Sequence, residues 1–218
     1  SRGGRTYKVG DLTQVDGKWR FVPDADYANE PDNGIMNFGK DSYAAMTYYV
    51  QDFGTAANPT LPDIIELNWM NTWDDYCNQV AEKVGQAFNG TFNLNLKLGL
   101  VKEGDKYVLT QTPIPAYNSL RGNAAVELTD AEVTADNTLL NDFSGETYEI
   151  VSKFYPATGT KKVGFDLRTG GSEKTSVRYD LEENRLYIDR SQSGTIISNR
   201  FAEVDSQTVS CNSDGSVD

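Results

Sequence analysis

Histidine is absent from all 218 residues of the chain. That removes imidazole acid/base chemistry, histidine-containing triads and histidine-ligated zinc, so any catalysis here rests on carboxylates. Cysteine occurs twice, as Cys77 and Cys211, with no metal-ligand spacing; the two could pair in an oxidising compartment or stand as unrelated thiols. No run approaches the roughly 20 apolar residues of a membrane helix, and no charged-then-apolar signal segment opens the chain. Basic residues are scarce: 20 Lys and Arg face 32 Asp and Glu, a net charge of −12. Such a field repels phosphate backbones and anionic lipid, which excludes nucleic acid and membrane surfaces as main partners. A phosphate-cradling glycine loop, a CxxC pair and a nucleophile elbow are all missing, and Asp32-Asn33-Gly34 lacks the rest of a calcium loop, so neither metal nor cofactor is expected.

What the chain does have is apolar and aromatic content: 38% hydrophobic residues, with 12 Tyr, 9 Phe and 3 Trp. That is enough to offset the entropy of ordering one large domain or two modest ones. The dominant period is two. Phe92 to Leu100 alternates apolar and polar, the pattern of a strand with one face on a core. Further β-rich runs lie at Thr6–Gly10, Trp19–Val22, Tyr43–Val50, Ile64–Trp69, Lys106–Gln111, Tyr148–Phe154, Val163–Leu167, Ser176–Tyr179 and Arg185–Asp189. Val15-Asp16-Gly17-Lys18 and Glu103-Gly104-Asp105-Lys106 read as hairpin turns. Only Asp74 to Phe88, with Tyr76, Val80, Val84 and Phe88 four apart, reads as a short helix weakened at Gly85. The fold class is therefore all-β. A shift from aromatic-rich to small polar composition between Cys77 and Thr91 places a domain boundary at 86/87. The chain lacks an initiator methionine and its strand-like sequence begins by Tyr7, so it is expected to be a segment of a longer or engineered polypeptide.

Carboxylates such as Asp41, Glu66, Asp74, Asp75, Asp166, Glu173, Asp180 and Asp189 are too abundant to single out a catalytic pair; each reads first as solvated surface or turn. Two segments stand out: Phe38-Gly39-Lys40-Asp41-Ser42-Tyr43-Ala44-Ala45-Met46-Thr47 and Leu67-Asn68-Trp69-Met70-Asn71-Thr72-Trp73. Aromatics beside amides and carboxylates suit a sugar, whose C–H faces pack on rings while its hydroxyls take polar partners. A Trp near the end of a strand is nevertheless more often packed than ligand-binding.

The first of these segments resembles the "D-[FY]-G-x-D-[FY]-Y-A-A-Q-T" strand of glycoside hydrolase family 32, the invertases, inulinases and levanases. Leu67 to Tyr76 resembles the "I-G-W-M-N-N-W-x-Y" strand that follows it there. Upstream, Tyr7 to Leu12 with the Asp16-Gly17 turn is similar to that family's "Y-F-V-G-D-F-D-G" hairpin. Downstream, Val163 to Arg168, Thr175 to Tyr179 and Leu186 to Gly194 are similar to its "G-[FL]-x-[LV]-R…T-x-[IV]-x-Y-D…L-x-[IV]-D-R-[ST]-x-S-G" series. The order agrees from Tyr7 to about Ala202, while Gln79 to Leu96 departs from the family's Pro-Arg-Glu strand. The resemblance implies the last blade of a five-bladed β-propeller over residues 1–86, followed by a β-sandwich over 87–218, expected to be incomplete. It implies retaining hydrolysis of β-fructofuranosidic bonds in sucrose, inulin or levan by a secreted parent protein. The family's three carboxylate motifs, "W-M-N-D-P-N-G", "R-D-P" and "E-C", do not occur here, so the chain is expected to hold no catalytic residue. It implies instead substrate contact: Trp73 as an aromatic wall of a fructose pocket, with Tyr43 and Asp41 nearby and Trp69, packed between blades, completing the set. The implied partner is a fructose-containing oligo- or polysaccharide; oligomeric state is left open. The rival reading is a non-catalytic carbohydrate-binding or interaction β-module. Asn89-Gly90-Thr91 is a glycosylation acceptor triplet that would fit secretion.

Overall fold

The computed structural model describes residues 5–29, 34–49, 53–73, 75–135 and 137–218. Asp32 and Asn33, Val50, Asp74 and the chain start at Ser1–Gly4 lie outside the described residues. In chain order the strands are β1 (Arg5–Tyr7), β2 (Gly10–Val15), β3 (Lys18–Pro23), β4 (Gly34–Met36), β5 (Tyr43–Tyr49) and β6 (Ile64–Met70). A short helix α1 (Val80–Val84) precedes β7 (Thr91–Phe92), β8 (Leu96–Glu103) and β9 (Lys106–Pro113). After a long irregular stretch come β10 (Lys162–Gly170), β11 (Glu173–Asp180), β12 (Arg185–Gln192), a helical turn α2 (Asn199–Ala202) and β13 (Asp205–Thr208). The all-β class read from the sequence is the class observed.

Two sheets carry the architecture. The first runs β5-β6-β8-β9, antiparallel throughout, with β7 adding to β6 beside β8. The second runs β10-β11-β12-β13. Glu66 of β6 sits opposite Leu96 of β8, so the first sheet crosses the boundary expected at 86/87 and ends at Pro113. Phe92–Leu100 alternates as any strand does, and its partner decides which sheet it joins.

Turn chemistry behaves as the sequence demands. Asp16 and Gly17 both take positive φ (51° and 72°), the type I′ pair that matches strand twist between β2 and β3. Gly104 takes φ 60° at the first position of the two-residue β8–β9 loop, as type II′ requires. The expected helix is confined to Val80–Val84, where Gly85 at φ 72° ends it with a left-handed cap. Thr6–Gly10 is broken between β1 and β2, and Tyr148–Phe154 forms no strand; Phe154 makes a single bridge to Val217.

In the second sheet the register puts Phe165, Val177 and Ile188 in one cross-strand row and Val163, Tyr179 and Leu186 in the next, a continuous apolar face met by the Phe154 ring at 5.6 Å. The opposite face carries Asp166, Ser176 and Asp189 in a row. In the first half, Tyr27 is fully buried, donates its hydroxyl to the Tyr107 carbonyl at 2.6 Å and lies under the Lys106 ammonium.

Candidate functional site

The end of β6 gathers aromatic side chains. Tyr43 lies opposite Trp69 on one side and Phe92 lies opposite it on the other. A register irregularity after Tyr43, with Ala44 at φ 51°, marks the entry to this row. Beyond the strand, Trp73 is 62% exposed and its ring centroid stands 5.2 Å from that of half-buried Trp69. A Cβ at Gly90 would strike the indole nitrogen of Trp69 and the Asn71 side chain, so glycine is what lets the following loop close over that edge. The structure thus brings Tyr43, Trp69 and Trp73 together and adds Phe92. Phe92 was legible only as the first position of an alternating run; its pairing to Trp69 depends on a register that spans 23 residues.

Asp41 is engaged differently. Its Oδ1 accepts from the Tyr76 hydroxyl at 2.6 Å, and its Oδ2 accepts from Arg190 Nη1. Arg190 Nη2 donates to the same Tyr76 oxygen at 2.9 Å, and Nε donates to the Phe201 carbonyl at 2.6 Å. Tyr76 is 2% exposed and meets the Phe201 ring edge-on at 5.5 Å. Burial first, then the hydrogen bond to Asp41, pushes the Tyr76 phenol well above its usual range, with Arg190 acting against both. The hydroxyl therefore remains a donor at any physiological pH. Next to it Lys40, 3% exposed, pairs with Asp205 at 3.0 Å. These contacts join the first sheet to the second.

A third cluster lies within the first sheet. Glu66 is 1% exposed, and its carboxylate accepts from Asn37 and Asn68 at 3.0 Å each and from Gln111 at 2.7 Å. Asn93 in turn donates to Asn68. Every group is supplied, as a buried polar network requires.

The two cysteines are free. Cys77 is buried, and Cys211 donates its thiol to the Tyr179 hydroxyl at 3.2 Å. Burial and then Cys211 push that phenol up to about 12. Asn89 accepts from the Ala81 N–H at 2.9 Å, satisfying a donor in the first turn of α1.

An exposed indole backed by a second indole, itself set between Tyr43 and Phe92 in the sheet, can pack the C–H face of a sugar ring. Residues 116–217 match the family model described as glycosyl hydrolases family 32 C terminal. The chain is 62% identical over 219 residues to a fructan beta-fructosidase from Streptococcus mutans, covering 100% of this chain and 15% of that protein. It is 31% identical over 192 residues to a levanase from Bacillus subtilis, covering 85% of this chain and 27% of that protein. The solved exo-inulinase of Aspergillus awamori superposes with a TM-score of 0.60 at 22% identity, over 98% of this chain and 39% of that one, a likeness of fold. The chain thus spans well under a third of the length of either curated relative.

Proposed function

The chain belongs to family 32 of the glycosyl hydrolases, whose C-terminal region its residues 116–217 match, and on that premise we propose that it is part of a secreted enzyme cleaving β-fructofuranosidic bonds in sucrose, inulin or levan. The observation that carries this reading is 62% identity, along the whole chain, to a fructan beta-fructosidase. Retaining hydrolysis needs two carboxyls about 5 to 5.5 Å apart. The motifs that supply them in this family are not in these 218 residues, so the reaction's nucleophile and acid lie on chain outside them. Secretion is supported by the polymeric members of that substrate set, because inulin and levan do not cross a membrane to reach their enzyme.

Within that enzyme β5-β6-β8-β9 is the last propeller blade, a reading supported by its four antiparallel strands in near-sequential order. The C-terminal domain begins after Pro113, in keeping with the start of the family match at residue 116. The sheet β10–β13, with one apolar and one polar face, is a layer of the sandwich. The chain's own contribution is substrate contact. Trp73, with Trp69 behind it and Tyr43 and Phe92 alongside, forms an aromatic wall of the fructose pocket.

The test is fructose release from levan, inulin and sucrose by the polypeptide extended upstream through its coding sequence, beside the 218-residue chain alone. The extended protein is expected to release fructose as the β-anomer first, seen by NMR, and the chain alone to release none. No release by the extended protein from any of the three would overturn the reading. So would tight levan binding by the chain alone that survives Trp73→Ala, which would establish a free-standing binding module.

A further inference from the structure

We propose that Arg190 is a positioning residue for substrate: reaching across from the second sheet, its guanidinium locks Asp41 and Tyr76 and thereby fixes the loop that presents Trp73 to a fructose unit. The inference rests on Trp73 as substrate wall. It extends that reading by making the C-terminal sheet a determinant of fructan affinity.

The loop that carries Trp73 leaves β6 after Met70. Asn71 closes its base, donating from Nδ2 to the Cys77 carbonyl at 3.1 Å while its Oδ1 accepts from the Thr72 N–H at 2.8 Å. An exposed ring on such a loop is only as well placed as the ends of the loop. One end is the strand. The other is Tyr76, three residues past Trp73, and among the described residues its hydroxyl bonds to the two groups that Arg190 organises, Asp41 and the guanidinium itself.

Geometry makes arginine specific here. Nη1, Nη2 and Nε each donate to a different acceptor: the Asp41 carboxylate, the Tyr76 oxygen and the Phe201 carbonyl. The same cation stands 4.1 Å from the Phe201 ring centroid and 5.4 Å from that of Tyr76. A planar fork with five donors meets all of these at once, whereas an ammonium is a point charge that cannot follow the plane. Asp41 also lies two residues before Tyr43, which faces Trp69. One side chain therefore ties down both approaches to the aromatic row, the start of β5 through Asp41 and the Trp73 loop through Tyr76. Asp41 acts in this arrangement as an anchor for Arg190.

Steady-state kinetics of the extended enzyme on levan and inulin test this with Trp73→Ala, Arg190→Lys, Tyr76→Phe and the Trp73→Ala/Arg190→Lys double variant. Trp73→Ala is expected to raise KM by roughly tenfold or more. Arg190→Lys and Tyr76→Phe are each expected to raise KM by roughly three- to tenfold with kcat held within about twofold, since the interaction lost is with bound substrate and not with the transition state alone. The double variant should be no worse than Trp73→Ala, because Arg190 acts through the ring that is already gone. A purely structural Arg190 would lower the melting temperature and leave KM unchanged, and any effect it had through another route would add to that of Trp73→Ala. Unchanged KM in both Arg190→Lys and Tyr76→Phe, or additivity in the double variant, overturns the positioning role while leaving the wall intact. If Arg190→Lys does not fold, Tyr76→Phe, which deletes one oxygen from a packed ring, decides alone. Unchanged KM in Trp73→Ala instead removes the wall and this inference with it.

Discussion

Glu66 buries its carboxyl group within a β-strand because three amide side chains from three separate places, Asn37, Asn68 and Gln111, point hydrogens at it. Removing it would leave those donors buried and unpaired. Glu66→Leu is therefore expected to destabilise the chain by about 3–5 kcal/mol. Glu66→Gln should cost about 1–3 kcal/mol, since its new NH2 meets donors where an oxygen met them. Urea unfolding of the two variants beside the parent checks both values. In sequence Glu66 was one acidic residue among 32, and nothing local distinguished it. Its partner Gln111 is 45 residues away. Trp73, Trp69 and Tyr43 were legible as a group because they fall within two short motifs whose order carries the signal. The bond of Asp41 to Arg190, 149 residues distant, was not, because nothing in a motif records what a carboxylate faces.

At the level of elements the hairpins were read correctly, since a two-residue loop is specified by its own residues: Asp16-Gly17 and Gly104-Asp105 need no outside partner. Strand membership is another matter. The run from Tyr148 to Phe154 has β composition, yet it contributes one bridge at Phe154, and the alternating run from Phe92 pairs with β6 in the first sheet. Pairing is decided by non-local register, which period two alone cannot supply. Close strand approach shows the same dependence at Gly164 of β10, where a Cβ would run into the Val177 carbonyl and the Arg178 backbone of β11. Gly164→Ala is expected to cost about 2 kcal/mol or more, as the strands must part to admit one methyl. A lower melting temperature, with amide exchange accelerated first along β10 and β11, is the outcome to look for; an unchanged exchange pattern there would count against it.

Across the whole molecule the acidic composition takes on a consequence that the count of charges did not contain. Four aspartates of the C-terminal half have pKa values lowered from the ordinary aspartate value. Lys174 and then Ser176 do this for Asp166, and Ser216 does it for Asp214. For Asp180 and Asp189 burial pushes upward but is outweighed, by Lys162 and two backbone N–H groups in one case and by Ser191 and Arg178 in the other. A group whose pKa is lower folded than unfolded contributes stability that is complete above its unfolded value, about 3.9 for aspartate, and is lost as pH falls through the folded value. The melting temperature is thus expected to hold from neutrality to about pH 4 and to fall below it, with the β10–β13 sheet losing protection first. A plot of melting temperature against pH that is flat down to pH 2.5 would contradict this. Apolar residues of the β2–β3 hairpin, Leu12, Trp19 and Phe21 among them, stand exposed, which a reading of composition as core content does not foresee. The junction of Lys40 and Tyr76 with Arg190 and Asp205 also fixes a sequence of events during synthesis. The first sheet is complete on the ribosome once Pro113 has emerged, but the clamp behind the Trp73 loop waits for residues 190–205, which at ordinary translation speeds arrive on the order of ten seconds after Tyr76. A product cut short before that point would carry Tyr43, Trp69, Trp73 and Phe92 without the contacts of Arg190 to Asp41 and Tyr76, so on the reading proposed above residues made later in synthesis decide when the earlier ones are ready for use.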